Sequence, residues 1–483
     1  MSLLGADRAQ VADRLAMVAK AALLVMGTVA VLLAVGYLIP HQPIVAFALT
    51  GMVFALAITF VEPAAVPLVV TPLLLVSIRV AAGGADLSVS DFVIAGAMVP
   101  AIVLAPKPLS RPMLTVIWLA IAYQVSTLFT VLTNPYAANV IEWAHAGMQV
   151  IGSLMIGWML GRRGFGTLAI RLLWITGILL AIGAVISGLL QYAGGNFGAV
   201  YPTYPFPMHK NFIGIVVMIV VVTMYAAPRS MRLPALLHWG GMAILVAAVA
   251  MAQARQAIVG IGVAIVVVVL RSDAEHKRSK VAIAAMIPAF VAVYILVRNQ
   301  LESDNRFNSA NQRVAWLQES VALWADHPWV GAGLRFWYQG HVGVGYQPPN
   351  VFLEVLTTAG IVGLVGFVVF YGGSLLVAWQ LPKGIGTIAV AVLVARIVQT
   401  QFDLYWSSVG ASVPFFILAL CIGMVAKQES EDVDHLEIET AAAESPASAA
   451  ALKPVLHHAQ DDPPTMPVPA YRGIPSAHRN GTS

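Results

Sequence analysis

The chain has 483 residues, of which 59% are hydrophobic and only 10% are charged, and its formal net charge at pH 7 is +4. In an ordinary soluble domain about a quarter of the residues are charged. This chain has too little charge to cover a core of its size, which excludes a soluble globular enzyme. Long apolar runs recur along the sequence and predict an all-α, polytopic membrane protein. A membrane β-barrel is excluded, because apolar and polar residues do not alternate.

About 14 apolar segments are long enough to be predicted as transmembrane helices. The single cysteine, Cys421, lies in the last of them and permits no intramolecular disulfide. The predicted spans are 17–39, 44–61, 64–82, 91–106, 113–133, 138–160, 169–193, 210–227, 235–252, 256–270, 281–298, 350–380, 385–405 and 408–426.

The distribution of lysine and arginine predicts that both termini are inside, because inner loops carry most of the positive charge in membrane proteins. Residues 1–427 then form the transmembrane region, and 299–349 is a long extracytoplasmic loop. Apolar residues at helical spacing from Arg313 predict an amphipathic helix in this loop, ended by Pro328. The tail, 428–483, is rich in alanine, proline and acids and is predicted to be disordered and cytoplasmic.

A set of lysine and arginine residues lies in the predicted outer loops, although outer loops of membrane proteins are usually poor in these residues. An arginine near the membrane surface suits a phosphate-bearing substrate, because its fork of donors stays charged and grips phosphate oxygens. Arg255 has no acid in its short link, which favours this interpretation, whereas Arg306 lies beside Asp304 and is better explained by an ion pair. The seven outer cations are Arg79, Lys210, Arg255, Arg298, Arg306, Arg313 and Arg335.

Two groups of polar side chains fall within predicted spans. The first group shares one face of the span 385–405, and the second lies in the outer half of the span 138–160. Hydrogen bonding between helices and a polar cavity open to the outside explain both groups equally well. The groups are Arg396, Gln399 and Asp403, and Glu142, His145 and Gln149.

Motifs typical of soluble enzymes are missing from the sequence. It contains no phosphate-binding Walker loop, no dinucleotide fingerprint and no His-Glu-x-x-His zinc motif. Transfer chemistry would therefore depend on cations for a leaving phosphate and on a histidine or carboxylate base. We expect no metal, no cofactor and no nucleic-acid partner.

The long loop and the span after it carry a series of short motifs. An arginine and a tryptophan precede a His-Pro turn with two glycines, and an Asn-x-x-x-Glu element then opens a glycine-rich span. Upstream, a His-Lys-Asn element opens another span, and an arginine lies in a short outer link. Over about 205–260 and 310–365 this series resembles the O-antigen ligase / O-antigen polymerase family of bacterial glycan assembly. The stretches are Met208-His209-Lys210-Asn211, Ala254-Arg255, Arg313-Val-Ala-Trp316, His327-Pro328-Trp329-Val330-Gly331-Ala332-Gly333, Asn350-Val-Phe352-Leu-Glu354 and Gly360-Ile-Val-Gly363.

The resemblance implies a metal-independent, inverting glycosyltransferase of the bacterial plasma membrane. Such an enzyme takes a glycan from a polyprenyl diphosphate on the outer face and transfers it to a glycan or lipid acceptor. Membrane lipids surround the enzyme. The family's paired arginines, which hold the diphosphate, correspond to Arg255 and Arg313 in this chain. We add as candidates two more diphosphate-binding cations, Lys210 and Arg335, and four cavity residues, Asn211, Asn350, Arg396 and Asp403.

The catalytic base is where this chain departs from the family pattern, because Pro349 stands where the family has a histidine. Three explanations compete. The base is His341, earlier in the same loop, or it is His209 or Glu354, which lie at outer span ends. In the third explanation the protein has lost ligase chemistry or transfers to a different kind of acceptor.

A membrane enzyme that ligates or polymerises a lipid-linked glycan is the leading hypothesis. A polytopic transporter is the rival class, because polar residues within many spans also suit solute export. A glycolipid flippase is a third possibility. The late position of the large loop argues against an exporter built of two similar halves. The sequence leaves ligase and polymerase undecided.

Overall fold

The computed structural model describes residues 57–82, 85–272, 309–338, 347–404 and 408–444, together with single helical positions outside these ranges. The described chain is mostly helical, as predicted, with one β-hairpin. It divides into two units, Met1–Glu429 and Ser430–Ser483.

The helices follow one another with short connections. Strands β1 and β2 pair antiparallel, with Arg79 opposite Ser88. A π-helical turn, Met148–Gly152, joins α4 to α5. The elements are α1 (Ala65–Val70), β1 (Arg79–Ala82), β2 (Ala85–Ser88), α2 (Val89–Val103), α3 (Arg111–Thr133), α4 (Ala137–Gly147), α5 (Ser153–Arg162), α6 (Gly166–Ala193), α7 (Lys210–Ala226), α8 (Ala235–Ala252), α9 (Arg255–Leu270), α10 (Ser309–Asp326), α11 (Val351–Gln380), α12 (Lys383–Gln399) and α13 (Ser408–Glu444).

Among the described residues, five helices are long and apolar enough to cross a membrane. They are α3, α6, α8, α11 and the part of α13 at Val409–Leu436, and four shorter apolar helices accompany them. The chain is therefore a multi-pass membrane protein. The predicted count of about 14 spans stays a prediction, because most residues of the spans 17–39, 44–61 and 281–298 lie outside the described residues.

Three predictions about the extent of helices are wrong: they concern two predicted spans and the start of the tail. The predicted span 64–82 is instead a short helical segment, Ala65–Leu75, followed by the hairpin. Pro72 lies in its second turn, which is a 3-10 helix, and Ala82-Gly83-Gly84-Ala85 gives the turn signal of a hairpin. The predicted span 385–405 ends at Gln399, and 428–444 of the predicted disordered tail is helical.

Small residues allow helices to approach closely within the bundle, as is usual where lipid replaces water around the helices. Gly157 and Gly161 lie four residues apart on α5 and face α13. A Cβ on Gly157 would lie 2.2 Å from the carbonyl oxygen of Phe416, and one on Gly161 would lie 2.3 Å from that of Leu420. The backbones of α5 and α13 are therefore in contact.

Helix α11 is broken at Gly360, where φ is +67° and ψ is −167°. The break frees backbone groups of two successive turns, which in a membrane protein must find other partners. The loop after α10 supplies them: Ala332 and Gly333 donate to the carbonyls of Thr357 and Thr358 at 2.9 and 3.0 Å. We call this backbone pairing, which joins 328–333 to 357–362, the loop clasp.

Candidate functional site

A buried carboxylate, Asp403, organises polar side chains from three helices. It lies in the turn after α12 and is only 6% exposed. Asn211 of α7 donates to one carboxylate oxygen at 3.1 Å. Gln399 of α12 and Gln256 of α9 donate to the other oxygen at 3.0 and 3.5 Å. We call these four residues the Asp403 cluster.

Arg396 holds the turn that carries Asp403. Its side chain is fully buried and donates to the carbonyls of Gly410 and Leu404 at 2.9 and 3.0 Å, and to the side chain of Gln399. The prediction that Arg396, Gln399 and Asp403 share one helix face is wrong, because the helix ends at Gln399. Gln399 instead bridges the guanidinium and the carboxylate.

His209 caps the helix that brings Asn211 to the cluster. Its Nδ1 accepts the backbone N–H of Asn211 at 3.2 Å, as an N-cap side chain does. Partial burial and the neighbouring Lys210 hold the pKa of His209 below its ordinary value, against the opposing effect of Asp403. A neutral imidazole suits the cap, in which Nδ1 accepts and Nε2 carries the proton. Lys210 lies over the ring of Tyr201, with Nζ 5.8 Å from the ring centroid.

Three helix N-termini meet around the Asp403 cluster. Helix α7 begins at Lys210 and α9 at Arg255, one residue before Gln256. Helix α11 joins them through Asn350, its N-cap, which donates to the side chain of Gln401 at 3.1 Å. Helix N-termini carry partial positive charge and point N–H groups at anions. This end of the bundle, which we call the N-terminal cradle, therefore favours an anionic ligand.

A second polar group lies on the next turn of α11. Glu354 is 3% exposed, and the amide of Gln347 donates to it. The hydroxyl of Tyr338 donates to Gln347 in turn. Arg335 stacks on Tyr338, with its guanidinium carbon 4.8 Å from the ring centroid. Its Nε lies 3.0 Å from Glu142 Oε2. These five residues form the Glu354 cluster.

The loop clasp positions Arg335 in this cluster. The backbone N–H of Leu334 donates to Asn139 Oδ1 at 2.7 Å, which fixes the residue before Arg335 on α4. Asn134 donates to the carbonyl of Gly331 at 3.2 Å. Arg335 is thereby set against Glu142, one helical turn after Asn139.

The cluster continues along α4 into the bundle. His145 Nε2 lies 3.0 Å from Asp91 Oδ1, and His145 Nδ1 lies 3.9 Å from Glu142 Oε2. The π-helical turn brings Gln149 to the same carboxylate of Asp91, at 2.9 Å. Of the predicted polar face, His145 and Gln149 thus face α2, whereas Glu142 faces Arg335 of the loop.

The structure brings several predicted site residues together, and it does not describe the side chains of two others. His209, Asn211 and Asp403 meet at the N-terminal cradle, where α9 starts at Arg255. Arg335 and Glu354 lie in the Glu354 cluster instead. His341 lies outside the described residues, and of Arg313 only the place on helix α10 is described.

Sequence reasoning missed four contributors to these clusters. Gln256 follows Arg255 directly, and Gln347 precedes the double proline of the loop, but an isolated glutamine carries no signal of its own. Tyr338 stands in an aromatic run, and Asp91 opens α2 in a capping box with Ser88. The capping box explains Asp91 locally, so its contact with His145 could not be anticipated.

These features define a multi-pass membrane protein with polar groups gathered around the N-termini of three helices. The family model described as O-Antigen ligase matches residues 240–368. The match confirms the resemblance to the O-antigen ligase / O-antigen polymerase family and indicates a membrane enzyme of polysaccharide assembly, acting on a lipid-linked glycan and an acceptor. No curated protein matches this chain. The matched segment contains Arg255 and the loop clasp, whereas His209 and Asp403 lie outside it.

Proposed function

We propose that this protein transfers a glycan from a polyprenyl diphosphate to an acceptor on the outer face of the bacterial plasma membrane, as a metal-independent, inverting glycosyltransferase. The observation that carries the proposal is the N-terminal cradle. Three helix N-termini and the cations Lys210 and Arg255 lie around one end of the bundle, where a diphosphate would find the positive ends of three helix dipoles and fixed positive charge.

The cations would act on the leaving group. As the bond between the sugar and the diphosphate breaks, negative charge grows on the phosphate oxygens, and pre-positioned donors stabilise it. Arg255 begins α9 and is half-buried, so its charge lies close to the helix N-terminus. Arg313, on helix α10, supplies the second arginine of the proposed clamp.

Asp403 and Asn350 have positioning roles in this proposal. Asp403 ties together α7, α9 and α12, and Asn350 ties the start of α11 to the turn before Asp403. The guanidinium of Arg396 donates to two backbone carbonyls, so we assign it the role of holding this turn in place. The base is one of His209, Glu354 and His341.

The test is the release of polyprenyl diphosphate in vitro. Purified full-length protein in liposomes is incubated with lipid-linked glycan and a membrane extract, both from the same host, and the freed polyprenyl diphosphate is quantified by chromatography. We expect release by the wild type and a loss of about 10²–10³-fold in Arg255→Gln, the range typical for removal of one charge-stabilising donor.

The matched control is Arg229→Gln, because Arg229 is an exposed cation beyond the opposite end of α7. Its activity should equal that of the wild type. Movement of intact lipid-linked glycan between leaflets, without release of polyprenyl diphosphate, would contradict the proposal and identify a flippase.

A further inference from the structure

The Glu354 cluster lines a small cavity beside the N-terminal cradle. Its free volume is about 40 Å³, which is room for a hydroxyl group or a water molecule and too little for a sugar ring. Tyr338 at its rim is 57% exposed, so the cavity lies near the surface. The polar side chains that line it include Gln124, Glu142, Arg335, Tyr338, Gln347 and Glu354.

The charges around this cavity differ from those of the N-terminal cradle. Two carboxylates, Glu142 and Glu354, face one bound guanidinium, and Arg79 of the hairpin acts electrostatically on Tyr338 from nearby. Positive and negative charges therefore balance. An anion gains little in such a place, because the guanidinium of Arg335 already has the carboxylate of Glu142 at 3.0 Å. A neutral hydroxyl gains more, because carboxylates accept its proton in strong hydrogen bonds.

We propose that this cavity binds the acceptor hydroxyl of the incoming sugar, and that Glu354 is the base that takes its proton. The proposal rests on the proposed function and refines it. The amide of Gln347 orients the hydroxyl by donating to its oxygen, Glu142 holds Arg335 against Tyr338, and the exposed ring of Tyr338 offers a platform for the sugar. Arg335 belongs to this hydroxyl subsite and not to the diphosphate clamp.

The reaction balances with these groups. The acceptor oxygen forms a bond to the anomeric carbon of the donor while its proton passes to the Glu354 carboxylate. The bond between that carbon and the diphosphate oxygen breaks, and its electron pair leaves with the diphosphate. The proton on Glu354 then returns to solvent.

One helical segment links the two subsites. Asn350 and Glu354 lie four residues apart at the start of α11, which is a rise of about 6 Å. Asn350 reaches Gln401, beside the Asp403 turn, and Glu354 reaches the cavity. The break at Gly360 separates this segment from the rest of α11. The acceptor and the donor phosphates would therefore lie on adjoining sides of one short helix.

The test separates donor binding from transfer. Glu354→Gln and Tyr338→Phe are each assayed for stabilisation by polyprenyl diphosphate and for its release from the lipid-linked donor with the host membrane extract. We expect both variants to be stabilised as the wild type is. Release should fall by about 10²–10⁴-fold in Glu354→Gln, the usual contribution of a general base, and by about three- to tenfold in Tyr338→Phe, which loses one hydrogen bond.

Glu62→Gln is the matched control, because Glu62 also faces an arginine, Arg163, at 4.0 Å, near the end of α5 away from the cavity. It should behave as the wild type does. Tyr338→Phe keeps the ring under Arg335 and serves if a carboxylate variant does not fold. Full release in Glu354→Gln, or loss of lipid stabilisation in Tyr338→Phe, would overturn the hydroxyl subsite. Absence of stabilisation in the wild type would instead overturn the proposed function.

Discussion

Ile361 donates its backbone N–H to the carbonyl of Pro328 at 2.9 Å, although an unbroken helix would direct it to Thr357. The carbonyl of Thr357 accepts from Ala332 instead. The loop and the broken helix thus exchange backbone hydrogen bonds as neighbouring strands do. This exchange is why the loop that carries Arg335 has a fixed place beside Glu354.

Glycine is required on both sides of the clasp. Gly331 has φ +72°, and a Cβ there would lie 2.3 Å from the carbonyl carbon of Thr358; Gly360 has φ +67°, and a Cβ there would lie 2.3 Å from that of Trp329. A left-handed backbone costs a residue with a Cβ about 1–2 kcal/mol before any collision. Gly331→Ala and Gly360→Ala should therefore both lower the melting temperature and abolish transfer.

Gly372→Ala is the control on the same helix. A Cβ at Gly372 meets nothing within 4 Å, and alanine is favoured over glycine in a helix by about 0.5–1 kcal/mol. Its melting temperature should equal or exceed that of the wild type. Wild-type stability in Gly360→Ala would show that the clasp is not required.

His209 predicts a dependence of stability on pH. Its pKa in the folded protein lies below the ordinary value of 6.5, because burial lowers it more than Asp403 raises it, and Lys210 lowers it further. The stability that neutral His209 contributes is thus present above pH 6.5 and is lost as the pH falls through the folded pKa. His209→Asn keeps an N-cap that does not titrate. Between pH 7 and pH 5 the wild-type melting temperature should fall more than that of the variant; equal slopes would contradict this.

The Asp403 cluster predicts coupling between two residues far apart in sequence. Asp403 accepts a hydrogen bond from the side-chain amide of Asn211. Asp403→Asn replaces one accepting oxygen by an NH2 group, which then faces a neighbouring amide donor. This change should lower the free energy of unfolding by about 1–3 kcal/mol. Combining it with Asn211→Asp restores a donor and an acceptor. The double variant should be more stable than the sum of the single effects, as measured by denaturation. Additive effects would show that the pair does not interact.

The sequence predicted features that depend on local pattern. The apolar period from Arg313 and the position of Pro328 predict a helix close to the observed Ser309–Asp326. The turn with two glycines after it is held by the clasp. Its partner, Gly360, lies about 30 residues further on, and neither glycine by itself indicates the other.

Long-range polar contacts could be predicted only in part. The face formed by Glu142, His145 and Gln149 was predicted from helical spacing, but its partner Asp91 was not, because its role in a capping box gives it a sufficient local explanation. Arg396 was expected to face a cavity or another helix, and it does bond the Gly410 carbonyl of α13, together with the Leu404 carbonyl of the turn that follows its own helix. No residue type in the sequence indicates which backbone carbonyls will accept a hydrogen bond from a distant side chain.

The most direct test of the account is the stabilisation of the purified protein by polyprenyl diphosphate, with the uncharged polyprenol of equal length as the control lipid. A ligand at a hundred times its Kd stabilises the folded state by about 2.7 kcal/mol. We predict a rise in melting temperature with the diphosphate alone, lost in Arg255→Gln and Lys210→Gln and kept in Arg229→Gln. An equal rise with polyprenol, or an undiminished rise in Arg255→Gln, would contradict a diphosphate site at the N-terminal cradle.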